Sequence, residues 1–400
     1  MAMLTGDPML RPFDAARWVI AAPNGRHLLV NGPSADLFRL LARADSLDGA
    51  HEAFNARFGA VMSAAEFTVL VETQFGGYQL LHADAVALRP EMPVPQMRLR
   101  FEFIPPTLAG KLSAFLRPFY APGVFWWTAG GLALGLVAGH ALAAPALLPT
   151  GPQLWVALPL VYGSLLVHEF GHVAATARAG VKHGGIGCGL YAYLFPVLYA
   201  DVTGIWLASK QERIIANLAG IYAQVLYAAA LAGGYQLCGY APLRFAAGAV
   251  SIMALWQFNP FVRHDGYWLL SDLTNTPNLL PKANAVVRAA LSAQGVRTLV
   301  ASRGRSLLSG PRAALFTYGV LNTLLLVFFI GYTGWHNAEL VVTFPSVILA
   351  LLGKLLHGTL HASDVNRAQL VVLALYLVLA RYVLSLVRKW RRSGSLAGAA

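Results

Sequence analysis

The sequence predicts a polytopic all-α membrane protein of about six spans, with a seventh left open, and a small α+β domain at its N-terminus. Three observations point there. Hydrophobic residues make up 57% of the 400 and charged residues 12%, where a soluble domain carries about a quarter. So few charges cannot cover a water-soluble fold of this size. Apolar runs of the ~20 residues that cross a bilayer recur near 122–145, 153–177, 213–237, 244–263, 313–333 and 368–388. The net charge of +12 is uneven: residues 1–110 hold 9 basic and 11 acidic residues, whereas 111–400 hold 21 and 7. The basic excess flanks the apolar runs, as orientation against a cytoplasmic leaflet requires. It builds no stripe of the kind that binds nucleic acid, so RNA and DNA are not expected partners. Cys188 and Cys238 give neither a disulfide framework nor a paired-cysteine zinc site.

Residues 1–85 read as a soluble domain. Arg17–Ala21 and Arg26–Val30 form a hairpin around Pro23-Asn24-Gly25. Helices follow near 34–43, 47–58 and 64–75, the last opening on a Ser63-x-x-Glu66 capping box. Tyr78–Leu81 is expected to return as a wing strand, which makes the unit winged-helix-like. Met1–Pro12 has no apolar run of the secretory type, so this domain is expected in the cytosol. Residues 86–106, with Pro90, Pro93, Pro95, Pro105 and Pro106, read as a linker. Leu108–Tyr120 is amphipathic and suits a membrane surface, so that 86–120 joins the domain to the spans.

Residues 121–280 form the membrane core, 281–312 a basic cytosolic loop, 313–392 further spans and 393–400 a tail. The loop carries Lys282, Arg288, Arg297, Arg303, Arg305 and Arg312, and the C-terminal end carries Arg388, Lys389, Arg391 and Arg392. Keeping both inside requires an even number of spans. The segment 338–356, with Pro345 and Lys354, is then more simply re-entrant than spanning.

The second span contains His168-Glu169-Phe170-Gly171-His172. Four residues apart on a helix, His168 and His172 share one face and can bind one zinc ion. Glu169 is rotated by about 100°, so it can serve as general base without being a ligand. An acid inside a span costs about 2.5–3.5 kcal/mol even on the lenient scale, and a zinc ion would compensate for it. A catalytic zinc usually takes a third protein ligand. Asp265 fits best: it follows Gln257-Phe258-Asn259-Pro260, at the inner end of the fourth span, where Pro260 and Gly266 break the helix. Asp272 is the competitor. His264 reads as a surface histidine, His140 as a packing residue and Asp201 as structural. Asn217 and Gln224 either bond neighbouring helices or line the site.

With HEFGH in one span and Asp-Gly after Asn-Pro in a later one, residues 120–280 resemble the site-2 protease family of intramembrane zinc metallopeptidases. Gln257 stands where that family has Asn, and His264 where it has Leu. The resemblance implies one Zn2+ per chain held by His168, His172 and Asp265, with Glu169 as base. It implies that Gln257 or Asn259 helps hold the substrate carbonyl. It also implies that Gly184–Gly204 is a membrane-dipping β-hairpin offering an edge to an extended substrate. The run Asn259–Leu279 resembles the bacterial peptide zinc metalloproteases that accompany peptide-modification or secretion machinery. The N-terminal domain is similar in pattern to PqqD-like leader-binding domains.

These resemblances lead to the expectation of a metalloendopeptidase in a bacterial inner membrane that matures a small peptide. Cleavage of a single-span regulator is the rival within the enzyme class. A non-proteolytic, zinc-stabilised receptor or export partner is the rival outside it. A metal transporter is disfavoured, because few further acids lie within the spans.

Overall fold

The computed structural model describes residues 4, 8–23, 25–78, 80, 97–142, 149, 151–191, 195–301, 310–359 and 364–397. The chain divides into two compact units, Met1–Pro277 and Asn278–Ala400.

The first unit opens with an antiparallel meander of β1 (Met9–Pro12), β2 (Arg17–Ala21) and β3 (His27–Asn31). Three helices follow: α1 (Gly32–Arg43), α2 (Leu47–Phe58) and α3 (Ala64–Phe75). Each starts on a side-chain cap. Asn31 accepts from the Ser34 amide, Ser46 from the Gly49 amide, and Ser63 exchanges bonds with Glu66 in the expected capping box. Ile20, Phe38, Leu41, Phe67 and Phe75 close one core between sheet and helices. Gly76–Tyr78 continues as a 3-10 turn rather than entering a strand, and residues 79 and 81 of the expected wing lie outside the described residues.

The β1–β2 turn is held by Asp14. Its Oδ1 accepts from the Ala16 and Arg17 amides at 2.9 and 2.8 Å, and its Oδ2 from Arg17 Nε at 2.7 Å. Burial alone would raise the Asp14 pKa; the Arg17 guanidinium and the two amides outweigh it and bring the pKa down to about 2.

The stretch with five prolines is not linker throughout. Met97–Ile104 is a strand, β4, antiparallel to β5 (Ile186–Tyr191). Met97, Leu99, Phe101 and Phe103 alternate with Arg98, Arg100 and Glu102, which is the period of a strand. The five prolines all lie outside it. β5 pairs in turn with β6 (Phe195–Ala200), so the expected hairpin is two strands of a three-stranded sheet. Ile186 and Ala200 pack this sheet against Val173 and Phe170 of the helix that follows.

Next come α4 (Pro106–Leu112), a 3-10 turn over Ala114–Tyr120, α5 (Pro122–Leu142), α6 (Pro152–Arg178), α7 (Lys210–Cys238), α8 (Ala241–Gln257) and α9 (Asp265–Leu273). α6 and α7 cross closely because their facing residues are small: Ala174 and Ala175 meet Ala216 and Ala219. Without a hydrophobic drive between helices in lipid, such close packing supplies the attraction. Tyr120 reaches into this seam and donates to the Ala219 carbonyl at 3.0 Å.

The second unit contains α10 (Leu279–Ala290), α11 (Ala293–Ala301), α12 (Gly310–His336), α13 (Ala338–Leu356) and α14 (Arg367–Ala397). Part of the expected basic loop is therefore helical. In α10, Leu279, Ala283 and Ala290 are buried at helical spacing. The ambiguous segment 338–356 is one unbroken helix with Pro345 inside it. Among the described residues, Pro152–Arg178, Lys210–Cys238 and Arg312–His336 are long and apolar enough to cross a membrane.

Tyr120→Phe removes a buried hydroxyl bond and leaves the ring in place. It should lower stability by about 1 kcal/mol, read as a lower thermal midpoint of the detergent-purified chain.

Candidate metal centre

The site is assembled from α6, α7 and the first residue of α9. His168 and His172 are both buried on one face of α6, ring centroids 4.7 Å apart. Their Nε2 atoms lie 3.1 Å from each other and 3.1 and 3.3 Å from Asp265 Oδ2. The three atoms form a nearly equilateral triangle.

The protonation of both rings follows from what lies behind them. His172 Nδ1 is 2.8 Å from the Ala216 carbonyl, which can only accept, so Nδ1 donates. For His168 the chain is longer. Ser164 Oγ donates to the Val161 carbonyl at 2.7 Å, and so accepts from Gln224 Nε2 at 3.4 Å. Gln224 then presents its Oε1 to His168 Nδ1 at 3.2 Å, and that nitrogen must donate. Gln224 is fully buried. In the neutral rings both Nε2 atoms are therefore lone pairs. They face a carboxylate oxygen that is buried and accepts no hydrogen bond.

With both rings neutral, three acceptors converge, and a metal cation relieves such a cluster. Nitrogen and oxygen ligands at about 2.0–2.1 Å from a tetrahedral zinc stand about 3.3–3.4 Å apart, close to the separations here. The second ring nitrogen of each histidine is tied to an oxygen acceptor, the support that metal-binding imidazoles need. The donor set fits zinc.

Two glycines make the arrangement possible. A Cβ on Gly220 of α7 would fall on the His168 ring, and one on Gly266 would fall on the Phe258 backbone. The first lets α7 close over the imidazole. The second lets α9 begin directly against the end of α8, which brings Asp265 to the histidines.

The structure brings Asp265 and not Asp272 to this cluster. Asp272 is taken by Arg213 Nε and Asn217 Nδ2, both at 2.7 Å. Glu169 is half-buried on the same helix turn as the histidines, and no hydrogen bond ties its carboxylate among the described residues. Gln257 ends α8 and is half-buried. Asn259 spends its Oδ1 on the Phe261 amide at 3.0 Å, shaping the α8–α9 turn. His264 precedes Asp265 as the N-cap of α9 and is half-buried rather than exposed. Asp201 holds the end of the sheet by accepting from the Thr203 amide and hydroxyl at 3.1 and 2.6 Å. The side chain of His140 lies outside the described residues.

Gln224 lines the site, whereas Asn217 bonds a neighbouring helix. Ser164 and the carbonyl of Ala216 carry no sequence signal of their own. The buried Arg213 does, since a cation within an apolar helix must have a partner.

Over 122 residues the chain is 26% identical to "Putative peptide zinc metalloprotease protein YydH" of Bacillus subtilis (strain 168). The match covers 30% of this chain and spans 48%, about half, of that protein's length. No family model matches the chain, and no solved structure does.

The purified wild-type chain should retain about one equivalent of zinc through dialysis, while His168→Ala, His172→Ala and Asp265→Ala each fall to background. Elemental analysis of the four preparations checks this.

Proposed function

We propose that this chain is a membrane-embedded zinc metalloendopeptidase of the site-2 protease kind. The observation that carries the reading is the buried triangle of His168 Nε2, His172 Nε2 and Asp265 Oδ2, which with both rings neutral turns three lone pairs toward one point. The similarity to a peptide zinc metalloprotease adds support.

His168, His172 and Asp265 would hold the zinc, which when bound supplies a Lewis acid able to polarise a peptide carbonyl and acidify a water. Glu169 takes the proton of the attacking water onto its free carboxylate. It then delivers that proton to the leaving nitrogen as the peptide C–N bond breaks. A carboxylate tied into a hydrogen-bond network could not make this exchange readily; among the described residues that of Glu169 is not so tied. Asn259 has its oxygen committed to the turn, which leaves its amide N–H group as a donor for a substrate carbonyl. Gln257 can donate in the same way.

A helical substrate backbone is closed to attack, because its carbonyls are already bonded. The sheet of β4, β5 and β6 packs on α6 and offers unpaired edge positions to an extended segment. The substrate would add there as a strand and expose its scissile carbonyl. The meander and three helices of the N-terminal unit would serve as a PqqD-like, leader-binding module, and peptide maturation the biological task. The basic excess of the membrane part supports a cytosolic position for this unit, at a bacterial inner membrane.

Glu169→Gln should reduce cleavage by at least about a hundredfold and leave zinc content unchanged. The inactive chain then serves as a trap, and mass spectrometry of what co-purifies identifies the substrate. A short precursor supports peptide maturation; a single-span protein favours cleavage of a membrane regulator. Full activity in Glu169→Gln refutes the assignment of the base. Bound zinc without turnover of any captured chain refutes the peptidase reading in favour of a metal-stabilised scaffold.

A further inference from the structure

Asp265 stands in the first turn of a nine-residue helix, α9. The contacts that fix this helix along its axis act at its far end. Arg213, 1% exposed in α7, donates from Nε to Asp272 Oδ1, and Asn217 Nδ2 donates to Asp272 Oδ2, both at 2.7 Å. Lys210 Nζ donates to the Leu273 carbonyl at 3.0 Å. Just beyond the helix, Asn275 adopts a φ of 54° and meets the N-terminal unit. Its Nδ2 donates to Asp14 Oδ2 at 2.8 Å, and Arg17 Nη2 donates to its carbonyl at 2.8 Å.

The same β1–β2 turn supplies Phe13, 3% exposed. Its ring centre lies 3.9 Å from the guanidinium carbon of Arg213, and the ring stacks on Trp206 at 5.9 Å. Arg213 is thus held between an aromatic face from the N-terminal unit and a carboxylate on α9. A buried ion pair is costly to disturb, because a partner that loses its place leaves the other charge uncompensated. Removing Phe13 opens one side of that pair, and removing Asp14 leaves Asn275 with its backbone bond to Arg17 alone. Asp265 and Asp272 are about 10 Å apart along α9, and a helix of under three turns transmits a shift from one end to the other almost undiminished.

We propose that the Phe13–Arg17 turn is a clamp on α9 which, through Arg213, Asp272 and Asn275, sets Asp265 against His168 and His172. The N-terminal unit thereby governs how tightly the metal is held, and a partner that draws the turn away loosens it. Phe13, Asp14 and Arg17 are positioning residues, more than 150 residues before His168 in sequence. The proposal rests on reading the three-ligand cluster as a metal centre.

The test is zinc affinity of the full-length chain in detergent, measured by competition with a chromophoric chelator, alongside hydrogen exchange of peptides covering 265–273. Phe13→Ala and Asp14→Ala should each weaken zinc binding about tenfold, the lower end of what loss of a supporting group costs. Both should raise exchange in α9 and leave α6 protected. Asp14→Asn, whose single oxygen cannot serve both the turn amides and Asn275, should recover little of the loss. Asp14→Ala combined with Asn275→Gly should cost little more than either alone, since both break one contact. Unchanged affinity and unchanged α9 exchange in a zinc-binding protein overturn the clamp and leave the metal centre standing. Protection lost throughout the first unit, α6 included, also overturns it, because the turn is then a general stabiliser. A wild type that binds no zinc overturns the metal reading itself, and the clamp with it.

Discussion

Two carbonyl oxygens, those of Val161 and Ala216, orient both imidazoles of the candidate metal centre. Each can only accept a proton. From the first, a chain of donors runs through Ser164 and Gln224 to one imidazole; the second acts on the other imidazole directly. In their neutral forms both rings turn a bare Nε2 toward a buried carboxylate oxygen. Desolvated lone pairs held this close repel one another strongly. The fold tolerates the arrangement only with positive charge among them. Small residues on the α6–α7 seam are a requirement of the same arrangement, because the ring of His168 occupies the space that any side chain at 220 would take.

Each of the three converging groups is secured differently. The histidines are fixed by the rigid pairing of two long helices. Asp265 belongs to a short helix with a turn on one side and a charged, N-terminal contact on the other. Such an element lies at the adjustable end of a structure's stability range. The division suits a centre in which two ligands are constant and the third can be tuned.

Much of the centre was legible because its signals are local. The spacing of His168 and His172 within one helix needs no knowledge of the rest of the chain. The breakers Pro260 and Gly266 around Asp265 mark a place where an acid can turn inward. The choice between Asp265 and Asp272 was harder. In the structure Asp272 pairs with Arg213, 59 residues before it, and nothing in the spacing of either residue announces that pair. The third helix of the N-terminal domain was readable from its capping box, Ser63 to Glu66. β4 was missed although its alternation is regular, because the surrounding prolines dominate the composition of that stretch. The contact between Asp14 and Asn275 spans 261 residues and has no local trace at all.

β4 also has a consequence for how the chain assembles. Ile104 pairs with Ile186, so the strand leaves the ribosome 82 residues ahead of its partner. At about 5–20 residues per second it waits roughly 4–16 s, while α5 and α6 are being made. An unpartnered strand with Leu99, Phe101 and Phe103 invites mispairing with any other extended segment nearby. Arg98, Arg100 and Glu102 sit between those apolar residues, and charges so placed are the usual guard against such pairing. The alternation that identifies the strand also keeps it soluble until the hairpin arrives.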